Sequence, residues 1–321
     1  MPSEAKSSGL TRVAIVGVGS VGASFAYALL LSGLAAEIVL IDANRAKAEG
    51  EAMDLNHAVP FTHPTKVWAG EYSDCAGAAI MVLAAGAPQA RGETRLDLIK
   101  KNAAIWRNIV PQVAGHNPDG ILLVATNPVD VLTYAAWKLS GSPPQRVIGS
   151  GTILDTARFR YLLSQELGVD ARSVHAYIIG EHGDTEVPVW SLANIAGMRL
   201  PEFYQAQGMA YDPQRLEEIF RQTRDSAYRI IERKGATYYA VAAGLMRITQ
   251  AILRNQRTVF SVSSLIDGYY GLTNVCFSLP TVVDRGGVEE VLRLQLDTVE
   301  EEKLRASAQV LKEIIKSLHL D

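Results

Sequence analysis

Cysteine is almost absent from this chain: Cys75 and Cys276 stand 201 residues apart and form no CxxC pair. They read as two reduced thiols in a cytoplasmic protein, not as a disulfide framework. No apolar run approaches the ~20 residues that a bilayer-spanning helix needs. Residues 1–9 are Ser-rich and polar, lack the apolar core of a signal peptide, and read as a disordered lead-in. Charge of one sign is lacking too. Acidic residues number 34 against 31 basic ones, and no Lys/Arg-rich block occurs. The electrostatic footprint of a nucleic-acid binder is therefore missing. There is no internal repeat and no Pro/Gly/Ser-rich linker, so the two halves of the chain should pack closely.

What is present is an ordinary globular composition, 48% hydrophobic over 321 residues, enough for about two domains with a sizeable core. In the first half, apolar runs at 12–16, 37–41, 79–84, 121–125 and 146–149 alternate with helical stretches such as 20–31 and 45–56. Runs that are continuously apolar indicate strands buried on both faces, and helices between them imply a parallel sheet. The expected fold is α/β: a doubly wound parallel sheet of the Rossmann type over residues 10–150, followed by an α+β substrate domain over 151–321. In the second half, helices are expected at 154–167, 212–234 and 238–253, with strand-like pieces at 173–180, 259–265 and 274–283. Leu304, Ala308, Leu311, Ile315 and Leu318 make the apolar stripe of a last helix, with Thr298 and Glu301 as its capping box.

Gly17-Val18-Gly19-Ser20-Val21-Gly22 fits GxGxxG. Alone the pattern is weak, since glycines also serve turns. Here it follows an apolar strand, opens a helix, and is followed by Asp42 at the end of the next strand, 20 residues past Gly22. Small glycines let backbone amides approach a pyrophosphate at a helix N-terminus. Asp42 can accept hydrogen bonds from ribose hydroxyls and would repel a 2′-phosphate, which favours NAD over NADP.

A second constellation carries acid chemistry. Gly180-Glu181-His182-Gly183-Asp184 places a histidine between glycines, 27 residues after Asp155 and 24 after Arg158. Histidine exchanges a proton near neutral pH, an aspartate fixes its tautomer, and arginine offers a rigid fork for a carboxylate. Singly, each has a plain structural reading: a surface i,i+3 ion pair, or a packed histidine. Their concurrence with a dinucleotide loop shifts the balance, as does Arg95 at the end of the lid-like segment 85–95. Asn127, at a further strand end, lies at the same edge. His57, His63, His116 and His319 have no partner pattern, and no metal site is evident.

Taken together, the glycine loop, the lid, Thr126-Asn127-Pro128-Val129-Asp130, Asp155-Thr156-Ala157-Arg158, the histidine segment and Lys234-Gly235-Ala236-Thr237 resemble the bacterial L-lactate dehydrogenases of the lactate/malate dehydrogenase family. The resemblance runs from about residue 10 to the end. It implies reversible NADH-dependent reduction of pyruvate to L-lactate, the terminal step of fermentative glycolysis, in a cytoplasmic homotetramer. His182 would exchange the proton of the carbonyl oxygen and Asp155 would orient it. Arg158 would hold the substrate carboxylate, while Arg95 would polarise the carbonyl. Asn127 would bond near the same oxygen and Thr237 would line the substrate pocket. Cofactor contacts are implied at Gly17, Gly19, Val21, Gly22, Asp42, Lys47, Tyr72, Gly86, Ala87, Ala125 and Asn127.

Malate dehydrogenases share this apparatus but carry an arginine at the lid's specificity position, where this chain has the neutral Gln89; Arg91 reads as a solvated lid residue. Oxaloacetate would bring an unpaired charge into a closed site, which is costly. Arg160 and His175 read from spacing as a surface arginine and a buried strand histidine. The resemblance instead implies an effector site for fructose 1,6-bisphosphate at a subunit interface. The alternatives are a malate dehydrogenase or a non-catalytic dinucleotide-binding protein. NADH consumption with pyruvate separates the last from the rest.

Overall fold

The computed structural model describes residues 11–87 and 95–320. The lead-in 1–9 lies outside them, as do Gln89 and Arg91. The apolar runs of the first half become β1 (Arg12–Val16), β2 (Glu37–Ile41), β3 (Lys66–Ala69), β4 (Ile80–Leu83), β5 (Ile121–Val124) and β6 (Val147–Gly149). They pair in parallel in the order β3-β2-β1-β4-β5-β6. Connecting them are α1 (Ser20–Ser32), α2 (Arg45–Ala58), α3 (Arg95–His116) and α4 (Val129–Ser140). The strands read as unbroken apolar runs because both faces are covered. Val13 and Ile15 pack with Phe25, Leu29 and Leu245 on one side. On the other, Ala14 and Val16 pack with Trp106 and Val110. Burying each such side chain contributes roughly 1.5–3 kcal/mol. The chain order reverses between β1 and β4, which opens a crevice at the carboxyl ends of the strands. β3 went unread in the sequence because it is short and lies at the sheet edge, with Lys66 exposed.

The second half begins with α5 (Ile153–Leu167). The β-rich run at 173–180 divides into β7 (Val174–His175) and β8 (Ile178–Ile179), since the two pieces pair with different partners. β8 pairs with β9 (Val187–Pro188), and β7 with β10 (Asn194–Ile195), which also pairs with β11 (Met198–Arg199). Then come α6 (Leu200–Ala206), α7 (Pro213–Lys234) and α8 (Tyr239–Leu253). They are followed by β12 (Thr258–Tyr269), β13 (Leu272–Asp284), β14 (Gly287–Val291) and α9 (Thr298–Ser317). β12, β13 and β14 pair antiparallel, and β12 joins the parallel sheet where Ser263 meets Gly149 on β6. One sheet thus runs through both halves. Only glycine fits that seam, since a Cβ on Gly149 would lie 2.2 Å from Thr133 Oγ1.

The apolar stripe of α9 is buried throughout, from Leu304 to Leu318. Its cap differs from expectation. Asp297 rather than Thr298 accepts from the backbone of Glu300 at 2.8 Å, and Glu300 accepts from Asp297 N at 3.2 Å. The box is therefore Asp297–Glu300, one residue earlier than the pair read from the sequence, with an aspartate as N-cap. Among the described residues no helix is long and apolar enough to cross a membrane.

Candidate active site

Two cavities meet at the carboxyl edge of the sheet. The larger, about 720 Å³, lies over β1, β2, β4 and β5. The three glycines of the loop serve it differently. Gly17 has φ +97°, and a Cβ there would sit 2.4 Å from Ala85 N, so the turn needs glycine both for its conformation and for contact with the β4 end. A Cβ on Gly22 would fall 2.0 Å from Gly17 O. Gly22 packs helix against loop and does not line the cavity. At Gly19 a Cβ would meet nothing within 4 Å, so among the described residues no packing contact requires glycine there. Among the described residues no side chain caps the first turn of α1, so its amides can receive an anion.

Asp42 accepts from Val18 N at 2.8 Å and from Asn44 N at 2.9 Å. Each of its oxygens keeps a further lone pair for a hydroxyl donor. Gly17, Gly19, Val21, Asp42, Lys47, Tyr72, Gly86, Ala87, Ala125 and Asn127 all line this cavity, and so does Thr237. An open glycine cradle, uncapped amides and a carboxylate at the end of β2 fit a dinucleotide. Sequence reasoning missed Asn102, a buried amide within α3. Its Oδ1 accepts from Ala87 N at 2.8 Å and its Nδ2 donates to Asn127 O at 3.2 Å, which ties lid base to strand end. A polar residue among Leu98, Ile105 and Trp106 on the inward stripe of the helix was the available signal.

The smaller cavity, about 410 Å³, shares Leu98 and Asn127 with the first and contains Asp155, Arg158 and His182. Asp155 lies in the first turn of α5. This helix end is pinned to β8, with Thr152 Oγ1 donating to Ile178 O at 2.6 Å and Ile178 N donating to Thr156 Oγ1 at 3.0 Å. From β8 the chain turns at Gly180, whose φ of +86° suits glycine. The turn is held against β13 and α9 by Gly180 N to Ser278 O at 2.9 Å and Glu181 N to Ser307 Oγ at 2.9 Å. His182 N then donates to Asp130 Oδ2 at 2.7 Å. Residues far apart in sequence are thereby brought together.

His182 Nδ1 shares a short hydrogen bond with Asp155 Oδ2, and Arg158 Nη1 donates to Asp155 Oδ1 at 2.9 Å. The i,i+3 pair is no exposed bridge, since the Asp155 and Arg158 side chains are only 3% and 12% exposed. Burial pushes the Asp155 carboxyl up, but the charges and hydrogen bonds of His182 and Arg158 overcome this and hold it below the usual range. Burial works against the charged His182 ring, yet Asp155, aided by Asp130, raises it above the ordinary value. The ring is thus biased toward carrying a proton.

Glu186, also unread in the sequence, lines the same cavity and is 6% exposed. Burial, and then the nearby charge of Asp155, push its carboxyl up to about 10. Burial thus favours its uncharged form. On the far wall Tyr228 OH donates to Asp184 Oδ1 at 2.8 Å. Arg95 opens α3, but its side chain lies outside the described part.

Arg160 points away from this cavity. Its Nε donates to Ala176 O at 2.8 Å and its guanidinium lies 5.0 Å over the Tyr177 ring. It is therefore held against the segment that carries His175. His175 itself is exposed, which corrects the reading of a buried strand histidine: Val174 fills the inward position of this two-residue strand. Among the described residues no group of His, Cys, Asp and Glu could hold a metal ion.

Two family models cover nearly the whole chain: "lactate/malate dehydrogenase, NAD binding domain" over residues 11–149, and "lactate/malate dehydrogenase, alpha/beta C-terminal domain" over 152–319. The chain is 53% identical over 311 residues to the L-lactate dehydrogenase of Acetivibrio thermocellus, covering 97% of this chain and 98% of that one. It is 54% identical over 306 residues to L-lactate dehydrogenase 2 of Bacillus anthracis, covering 95% and 97%. Among solved structures, the minor L-lactate dehydrogenase of Enterococcus mundtii in its ligands-bound form superposes with a TM-score of 0.94. It shares 43% identity, with coverage of 97% and 99%.

Proposed function

The chain belongs to the lactate/malate dehydrogenase family, and we propose that within it this protein catalyses the reversible, NADH-dependent reduction of pyruvate to L-lactate. The observation that carries the reading is the buried Asp155–His182–Arg158 cluster, which shares Asn127 with the dinucleotide crevice. The glycine loop and Asp42 would hold NAD(H) in that crevice, and the nicotinamide would supply the hydride chemistry at the carbonyl carbon. His182 gives the proton to the carbonyl oxygen. Its Nδ1 is engaged by Asp155, so Nε2 is the nitrogen that faces the substrate. As the ring loses its proton the ion pair with Asp155 weakens, and the bias toward the charged ring restores it from solvent. Arg158 spends one nitrogen on Asp155 and keeps further N–H groups for the substrate carboxylate. Arg95 and Gln89 act from the lid, Arg95 on the developing oxyanion and Gln89 as the neutral neighbour of the substrate methyl.

The same reading places the protein in the cytoplasm, where its two buried, unpaired thiols stay reduced. It also makes the protein a homotetramer responsive to fructose 1,6-bisphosphate through Arg160 and His175. In support, Arg160 is anchored on the carbonyl of Ala176, the residue after His175. One set of initial-rate measurements tests these points: NADH oxidation with pyruvate or oxaloacetate, with and without the sugar diphosphate. We expect kcat/KM for pyruvate to exceed that for oxaloacetate by about 10²-fold or more, since an unpaired carboxylate is expensive to bury. We also expect the diphosphate to lower the pyruvate concentration at half-saturation. A preference for oxaloacetate would overturn the lactate assignment, and superimposable saturation curves would retire the effector.

A further inference from the structure

Behind the proton donor lies a second carboxylate. Asp130 is 2% exposed and sits in the first turn of α4, where the helix dipole favours a negative group. Its Oδ2 accepts the backbone N–H of His182 at 2.7 Å. Its Oδ1 is buried and, among the described residues, makes no hydrogen bond of good geometry, although the equally unbonded Ser263 hydroxyl faces it. A chain that needed only an acceptor for one N–H could use a neutral side chain here and avoid burying a charge.

We infer that Asp130 is a positioning residue for the proton donor: it fixes the His182 backbone and, as a second negative group beside Asp155, favours the charged imidazolium. The inference rests on the reading of His182 as the proton donor. The groups that face Asp130 are His182 and Glu181 on the histidine turn, the Ser263 hydroxyl on β12 and the Cys276 thiol on β13. Burial pushes its own carboxyl up to about 6, against the pull of Ser263 and His182. The sign follows. Above about pH 6 Asp130 is ionised and raises His182; below that it becomes neutral and the lift is lost. The lift is therefore present where an imidazolium would otherwise lose its proton.

Asp130→Asn tests this, because the amide oxygen can still accept from His182 N while the charge is gone. The titration midpoint of His182 is read by NMR of the enzyme carrying ¹³C-labelled histidine, with the resonance assigned by its loss in His182→Gln. We expect the midpoint to fall by about one pH unit in Asp130→Asn, and the alkaline limb of kcat/KM for pyruvate to move down with it. An unchanged midpoint would overturn the inference. So would a defect confined to Asp130→Ala, which would show that only the acceptor matters. If Asp130→Asn does not fold, Ser263→Ala replaces it. Removing a group that favours ionised Asp130 should lower the His182 midpoint in the same direction by less, and no change there also overturns the inference. Should the parent enzyme fail to turn over pyruvate, the functional reading falls, while the His182 midpoint still decides the role of Asp130.

Discussion

The two cavities at the sheet edge are built from opposite materials. The end of the dinucleotide crevice at the glycine loop is backbone: glycines that admit close approach, uncapped amides at the start of α1, and one carboxylate that holds two N–H groups. The neighbouring pocket is side chain, with Asp155, His182, Arg158 and Glu186 largely withdrawn from water around one small volume. A backbone cradle binds an anion by shape and by the dipoles of its amides. A buried charge cluster sets protonation, and any change to one member is felt by the others. Binding and proton chemistry should therefore be separable by mutation. The largest effect tests that directly. His182→Gln should lower kcat for pyruvate reduction by about 10³-fold, within the range for loss of a general acid, while leaving the NADH Kd from fluorescence titration unchanged. Intact turnover would remove the imidazole from the mechanism, and a lost Kd would show that the two regions are not separable.

Within the crevice, the glycines allow a finer cut. Gly19→Ala introduces a methyl group that packs against none of the described residues beyond its chain neighbours, so Tm should hold. The methyl would stand where a pyrophosphate approaches the amides, and NADH binding should weaken about tenfold, roughly 1.4 kcal/mol. Gly22→Ala should do the reverse. Its Cβ would fall 2.0 Å from Gly17 O, an overpacking expected to remove about 1–3 kcal/mol of stability. Calorimetry beside NADH titration of both variants checks the pair. If Gly19→Ala loses stability rather than affinity, that glycine serves the fold and not the ligand.

The same contrast explains what could be read from the sequence. Val13 to Val16, the glycine loop and Asp42 lie within about one βαβ unit, so local pattern and spacing were enough for the crevice. His182, Asp155 and Arg158 stood out by residue type, yet their union depends on β8, Gly180 and the α5 start, which only the folded chain brings together. Asp130 and Glu186 were not legible as site residues. An Asp opening a helix and a Glu before a short strand have ordinary solvated readings, and burial decides otherwise. The attachment of β12 to β6 was hidden for a similar reason, because register across a sheet is set by packing rather than by local propensity.

A further test measures what the buried-charge region costs. Glu186 has its carboxyl pushed from an ordinary 4.5 to about 10, by burial first and by Asp155 next. Between these values the folded protein keeps a proton that the unfolded chain releases, so stability falls as pH rises through that window. Below pH 4.5 the carboxyl is protonated in both states and the penalty vanishes. Glutamine has a similar shape and no proton to lose in either state. Glu186→Gln should therefore match the parent enzyme's Tm at pH 4 and exceed it at pH 8, by on the order of 2–4 °C for each kcal/mol removed. The gap should widen toward pH 9. Thermal melts across that range decide the matter. Parallel curves would mean that the carboxyl is ionised in the folded state, partnered by the Arg158 and Arg224 charges that face it, and that the pocket holds one more negative charge than its burial allows.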